Sequence, residues 1–216
     1  VIRTIVLDLD GPLLDGIQRH YHCYSHILKD HGFKPVSIGL YWEKKRNRFN
    51  RRDILALSSA EGIYGEFLAE WTSMIEQKNC LALDKLQNKV IEVLEKWKRT
   101  GTKLLLATMR NNPENLHWQL EQLGFAKLLD QIVVVGSSQF GVNKSSEIKP
   151  LLANDNLDQV VWVGDTEVDI LAAHEIGVKV CAVTCGLRTE EYLASLSPDI
   201  LEADLAAFAT NGIKSL

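Results

Sequence analysis

No C-x-x-C pair occurs among the four cysteines, Cys23, Cys80, Cys181 and Cys185, so the spacings of thiol redox and zinc sites are missing. No histidine or further cysteine completes a four-ligand metal set around Cys181 and Cys185. All four read as reduced thiols that behave as small apolar side chains. Also missing is any apolar run of the roughly 18 residues needed to span a bilayer. The first residues, Val1 to Ile5, enter a strand without a signal peptide's charged and apolar regions. A soluble, cytoplasmic chain with no membrane partner is therefore expected. Charge of one sign is not in excess, since the formal balance is -4 over 216 residues with a pI near 5.9. That leaves no chain-wide electrostatic footprint for nucleic acid, and small molecules become the expected partners. There is no internal repeat and no low-complexity stretch. Hydrophobic residues at 46% and charged residues at 24% match an ordinary folded protein.

What is present is a series of short, continuous apolar runs. Ile2 to Leu9 ends in the turn signal Asp10-Gly11-Pro12, and Lys103 to Ala107, Ile132 to Val135, Val160 to Val163 and Val178 to Val183 repeat the pattern. Such runs are the mark of strands covered on both faces of a parallel sheet. Helical patterns separate them at Leu86 to Trp97, Glu114 to Leu123, Ile148 to Ala153 and Ile170 to Ile176. The alternation predicts an α/β fold, a doubly wound and mainly parallel sheet of Rossmann-like type. Residues 15–83 interrupt it with helical patterns and clustered aromatics, which predicts an inserted helical cap; residues 1–14 and 84–216 then form the core. Within the insertion, Trp42, Phe67 and Trp71 read as cap core. The cationic run from Lys44 to Arg52 reads as a solvated face, its alternative being a surface that meets an anionic group.

Three apolar strands end in polar residues: Asp8 and Asp10, then Thr108, then Asp165. In an open parallel sheet the carboxyl ends of neighbouring strands converge on one crevice; the alternative is that Asp8 and Asp10 form a turn and Asp165 caps the helix that begins near Glu167. Adding Asp169 brings four acidic groups into one region, which is unfavourable unless a cation is bound or a proton is shared. Oxygen-only ligands favour magnesium over zinc or copper. Lys144, before a helix start at Ser145-Ser146, is placed to bring a cation to the same crevice and hold a phosphoryl oxygen, its alternative being a solvated lysine. A metal, a lysine, a hydroxyl and two carboxylates of different role are what phosphoryl transfer through an aspartate requires.

These residues resemble the haloacid dehalogenase-like (HAD) superfamily, whose four motifs stand here in order as Asp8-Leu9-Asp10-Gly11-Pro12-Leu13-Leu14-Asp15, Thr108, Lys144, and Gly164-Asp165-Thr166-Glu167-Val168-Asp169. The likeness is to its phosphatases with a helical cap, of phosphoglycolate phosphatase type. It implies Asp8 as nucleophile and metal ligand, and Asp10 as the acid and base that also binds the metal through its backbone carbonyl. Thr108 and Lys144 would hold the transferring phosphoryl group, with Lys149 of the Lys149-Pro150 pair the competitor of Lys144; Asp165 would ligate Mg2+, and Asp169 would order the metal's shell. Arg110, two residues after Thr108, is a further candidate for the substrate phosphate, its alternative being a surface ion pair. Pro12 departs from the family's usual threonine and removes a donor and a hydroxyl from the first motif.

The resemblance implies a magnesium-dependent phosphatase acting on a small-molecule phosphate ester through an aspartyl-phosphate. A sugar-phosphate mutase would keep the same motifs, and a catalytically weakened binding module would keep the fold. A dehalogenase has no need of an acid at Asp10.

Overall fold

The computed structural model describes residues 1–136 and 144–214. Strand β1 (Thr4–Leu7) is four residues long and wholly buried. The chain turns through Asp10 and Leu14 into β2 (Leu14–Asp15). Five helices follow: α1 (Ile17–Asp30), α2 (Ile38–Arg46), α3 (Arg51–Ala56), α4 (Tyr64–Met74) and α5 (Lys78–Leu81). Strand β3 (Lys85–Leu86) pairs with β2 in a two-stranded sheet. From there helices and strands alternate through α6 (Val90–Arg99), β4 (Lys103–Thr108), α7 (Pro113–Gln122), β5 (Gln131–Val134), α8 (Lys144–Ile148) and β6 (Val160–Gly164). The chain ends in α9 (Glu167–Ile176), β7 (Lys179–Val183), α10 (Glu190–Ser195), β8 (Ile200–Glu202) and α11 (Leu205–Thr210).

The six-stranded sheet has the order β5-β4-β1-β6-β7-β8, and every pair in it is parallel. Strand β1 is the point of reversal, with Leu7 in register with Leu106 on one side and Val163 on the other. Alternation along β1 sends Ile5 and Leu7 to one face, where they pack with Leu94 and Trp97 of α6 and Phe208 of α11. Val6 goes to the opposite face, against Ile170, Ala173 and Ile176 of α9. Covered on both faces, these strands need apolar residues at every position, and each fully buried Leu, Ile or Val contributes about 1.5–3 kcal/mol.

Several boundaries differ from the periodicity reading for local reasons. The helix expected from Leu86 begins at Val90, because Leu86 pairs with β2 and Lys89 takes a left-handed conformation at φ 54°. The stretch Ile148–Ala153 is divided between the end of α8 and a 3-10 turn, Lys149–Leu152, where Pro150 supplies no N–H for an α-helical bond. Strand β8 and helices α10 and α11 are too short to show a period. Helix α11 does carry a local signal, since the Asp204 carboxylate accepts from the Ala207 N–H at 2.7 Å.

By compactness the chain divides into Val1–Asp15 with Leu86–Leu216, and Gly16–Lys85. The second unit is helical around its own core of Cys23, Tyr24, Ile27, Tyr41, Phe67 and Trp71. Tyr24 stacks on Tyr41 with ring centres 4.6 Å apart, and Trp42 lies half-buried at the edge. Its cationic run lies along aromatic faces: Lys45 and Arg51 stand over the Trp71 ring, and Arg52 over Tyr64. Cys23 and Cys80 are buried with their sulfurs 3.8 Å apart as free thiols. Among the described residues no helix is long and apolar enough to cross a membrane.

Arg19 Nε donates to Asp84 Oδ1 at 2.8 Å inside the helical unit, with both side chains almost wholly buried. Removing one partner of such a pair leaves an uncompensated charge out of water. Arg19→Met is expected to cost about 3–5 kcal/mol in urea denaturation. The double variant Arg19→Met/Asp84→Leu should regain most of that loss.

Candidate active site

The site is built from the carboxyl ends of three adjacent strands. Asp8 follows the last residue of β1, and its N–H donates to the Val163 carbonyl at 2.9 Å, which continues the ladder one step beyond the strand. Thr108 is the final residue of β4 and is buried. Asp165 follows Gly164, the last residue of β6. Asp10 lies in the turn after β1, whose backbone bonds are donated by Gly11, Leu13 and Leu14. The turn therefore closes without an N–H at position 12, the one a proline lacks.

Lys144 begins α8 and is 2% exposed, with Nζ 2.8 Å from Asp8 Oδ1 and 2.8 Å from Asp169 Oδ1. Lys149 is exposed. Asp169 sits in the first turn of α9 and closes a capping box with Thr166. Its Oδ2 accepts from the Thr166 hydroxyl at 2.8 Å and the Thr166 N–H at 3.3 Å. Its Oδ1 accepts from Lys144 and from the Trp162 indole N–H at 3.2 Å. Both oxygens of Asp169 thus already have donors. Arg110 is 4% exposed, and its Nε and Nη2 each donate to an oxygen of Asp10 at 2.9 Å.

Asp165 is enclosed by backbone. Its Oδ2 accepts from the Leu187 N–H at 2.5 Å, while Oδ1 is buried with no hydrogen-bond partner. A Cβ on Gly11 or on Gly186 would overlap the Asp165 carboxylate. Gly11 also holds φ at +101°, a region that favours glycine. One carboxylate oxygen each from Asp8, Asp165 and Asp169 lies within 4.8 Å of the others.

Three buried carboxylates around one ammonium leave the site short of positive charge. Burial has the largest effect on Asp8 and pushes its carboxyl from 3.8 up to about 7; Lys144 opposes this, and the charge of Asp169 adds to it. Burial, then the charges of Asp8 and Asp169, holds Asp165 well above the ordinary carboxylate range. For Lys144 burial acts against the charged form, but Asp169 and Asp8 outweigh it and hold the ammonium above the usual lysine range. The orphaned Asp165 oxygen, the oxygen-only donor set and the deficit of positive charge all fit a hard divalent cation.

Of the residues singled out from the sequence, Asp8, Lys144, Asp165 and Asp169 come together here, and Arg110 joins Asp10. Three contributors were not found by sequence reasoning. Trp162 had a signal, because an indole N–H inside an apolar strand needs a partner. Gly186, just past β7, had the weaker signal of a glycine after a strand. The ion pair of Arg188 with Glu167, at 2.6 and 2.8 Å, had none.

The model of the haloacid dehalogenase-like hydrolase family matches residues 5–183. The phosphoglycolate phosphatase of Aliivibrio fischeri is 27% identical over 220 residues, covering 93% of this chain and 92% of that protein. A solved chain from Haemophilus somnus, assigned as a phosphoglycolate phosphatase, superposes with a TM-score of 0.76 at 22% identity over 97% of each chain. One from Thermotoga maritima, assigned as a beta-phosphoglucomutase, reaches 0.73 at 20% identity over the whole of both chains. At these identities the two solved chains speak for the fold.

Asp165→Asn removes one of three mutually repelling buried carboxylates. Carboxyls with raised folded values weaken the fold above their unfolded values and cease to do so once protonated. The variant is therefore expected to melt a few degrees higher than the native chain at pH 8 without metal, and the gain should fade towards pH 5 in a thermal melt. Gly186→Ala, which displaces the same carboxylate, should weaken divalent cation binding by about 10–100-fold in a calorimetric titration.

Proposed function

The chain belongs to the haloacid dehalogenase-like hydrolases, and from that premise we propose that it is a magnesium-dependent phosphatase acting on a small phosphorylated metabolite through an aspartyl-phosphate on Asp8. The observation that carries the reading is the pairing of a buried Asp8 with Lys144 at 2.8 Å beside the orphaned carboxylate of Asp165. An aspartate serving only as a turn residue needs neither a buried ammonium nor a neighbouring acid.

In this reading a carboxylate oxygen of Asp8 attacks phosphorus, the ester P–O bond breaks, and Asp10 gives its proton to the leaving oxygen. Water then attacks the phosphorus of the acyl phosphate, Asp10 takes up the water's proton, and the bond between phosphorus and Asp8 breaks to release inorganic phosphate. Thr108 and Lys144 hold the phosphoryl oxygens, where an ammonium that stays charged acts on the negative charge spread over them. Asp8 and Asp165, with the backbone carbonyl of Asp10, would hold magnesium, and Asp169 would order its shell. When bound, magnesium supplies neutralisation of the charge on the phosphoryl group. Relatives named as phosphoglycolate phosphatases support a small ester that carries a further acidic group, and make phosphoglycolate the first substrate to try.

The test is phosphate release from a panel of small phosphate esters with magnesium. The native chain should turn over at least one ester, and Asp8→Asn should lower that turnover by three orders of magnitude or more, roughly the scale of a lost nucleophile. Transfer of labelled phosphate between positions of a sugar phosphate, without release, would replace the phosphatase with a mutase. Magnesium should also raise the melting temperature of the native chain and leave that of Asp165→Asn unmoved.

A further inference from the structure

Arg110 was singled out as a candidate for the substrate's phosphate, yet its guanidinium is spent elsewhere. It lies two residues beyond Thr108 at the end of β4, the strand next to β1, and Asp10 lies two residues beyond Asp8. Its Nε and Nη2 meet the two oxygens of Asp10 at 2.9 Å each, the parallel two-bond geometry that a planar guanidinium makes with a carboxylate. The Arg110 side chain is 5% exposed and that of Asp10 is 39% exposed. A buried anchor therefore holds the carboxylate that is the partly exposed side chain of an otherwise buried turn.

We infer that Arg110 is a positioning residue for Asp10, fixing the plane of its carboxylate for proton transfer to the leaving oxygen and from the attacking water. The inference rests on the phosphatase reading. A carboxylate held by one bond rotates about it, whereas two parallel bonds to a rigid fork fix both its direction and its plane. Each carboxylate oxygen retains a second lone pair outside the fork, so the clamp leaves room for a proton. Arginine stays charged throughout and never competes for that proton. Moving the guanidinium to a substrate phosphate would strip Asp10 of both bonds at the moment its orientation matters, which separates this role from the phosphate-binding one. A proton in flight is sensitive to the placement of its carrier, and a positioned acid and base contributes about 10²–10⁴-fold to rate.

The experiment uses the ester that the native chain hydrolyses fastest, with every variant first required to melt within a few degrees of the native chain. Arg110→Ala is expected to lower kcat about a hundredfold while KM changes less than roughly threefold. Arg110→Lys, which keeps the charge but not the fork, should recover about a tenth of the loss or less. In an Asp10→Asn background, Arg110→Ala should cost less than roughly threefold more, because its effect passes through Asp10. Should Arg110→Ala fail the melting criterion, Arg110→Gln replaces it. A loss seen mainly in KM, with weakened inhibition by inorganic phosphate, would return Arg110 to the substrate and overturn the inference. So would full recovery by lysine, or an undiminished loss on top of Asp10→Asn. A native chain that releases no phosphate from any ester overturns the phosphatase reading itself, and this assignment with it.

Discussion

Negative charge gathered out of water is the constraint around which the core unit is arranged. Asp8, Asp165 and Asp169 are each less than a tenth exposed, and one ammonium, that of Lys144, stands among them. An arrangement so short of positive charge persists only because the surrounding fold holds it. The sheet fixes where Asp8 and Asp165 begin, the first turn of α9 fixes Asp169, and Leu187 closes over Asp165 with a backbone N–H. A buried carboxylate oxygen with no partner and a shortage of positive charge together fit a hard divalent cation.

Much of this core was legible because its physics is periodic. Strands β1, β4, β6 and β7 are covered on both faces, so each appears as an unbroken apolar run, and the polar residue that ends three of these runs identifies the crevice. The acidic positions were legible for a related reason: buried carboxylates such as Asp8, Asp165 and Asp169 are costly together unless a cation or a proton offsets them. What stayed hidden is aperiodic. Strand β8 has three residues and α10 has six, too few for a pattern to repeat. The boundary at Val90 depends on a pairing between Leu86 and a strand seventy residues earlier, which no window of local sequence contains.

Within the site the same division holds. Charged side chains could be placed near the crevice from the sequence, whereas the contacts that hold them could not. The sequence marks Arg110 as a cation near Thr108; only the fold shows that Asp10 receives it. Trp162 reads as apolar filling of β6, whereas its N–H is one of the donors that orient Asp169. Gly186 has no side chain to attract attention, and its contribution is the space that lets Asp165 lie where it does.

Asp169 joins two demands in one carboxylate. One oxygen closes the start of α9 through Thr166, and the other receives Lys144 and Trp162. Helix initiation and placement of the buried lysine are therefore not separable properties of this chain. Asp10 carries no such double demand, since its side chain is 39% exposed and its carboxylate is met by the Arg110 guanidinium. At Asp169, loss of the carboxylate would unseat the start of α9 and the buried lysine together.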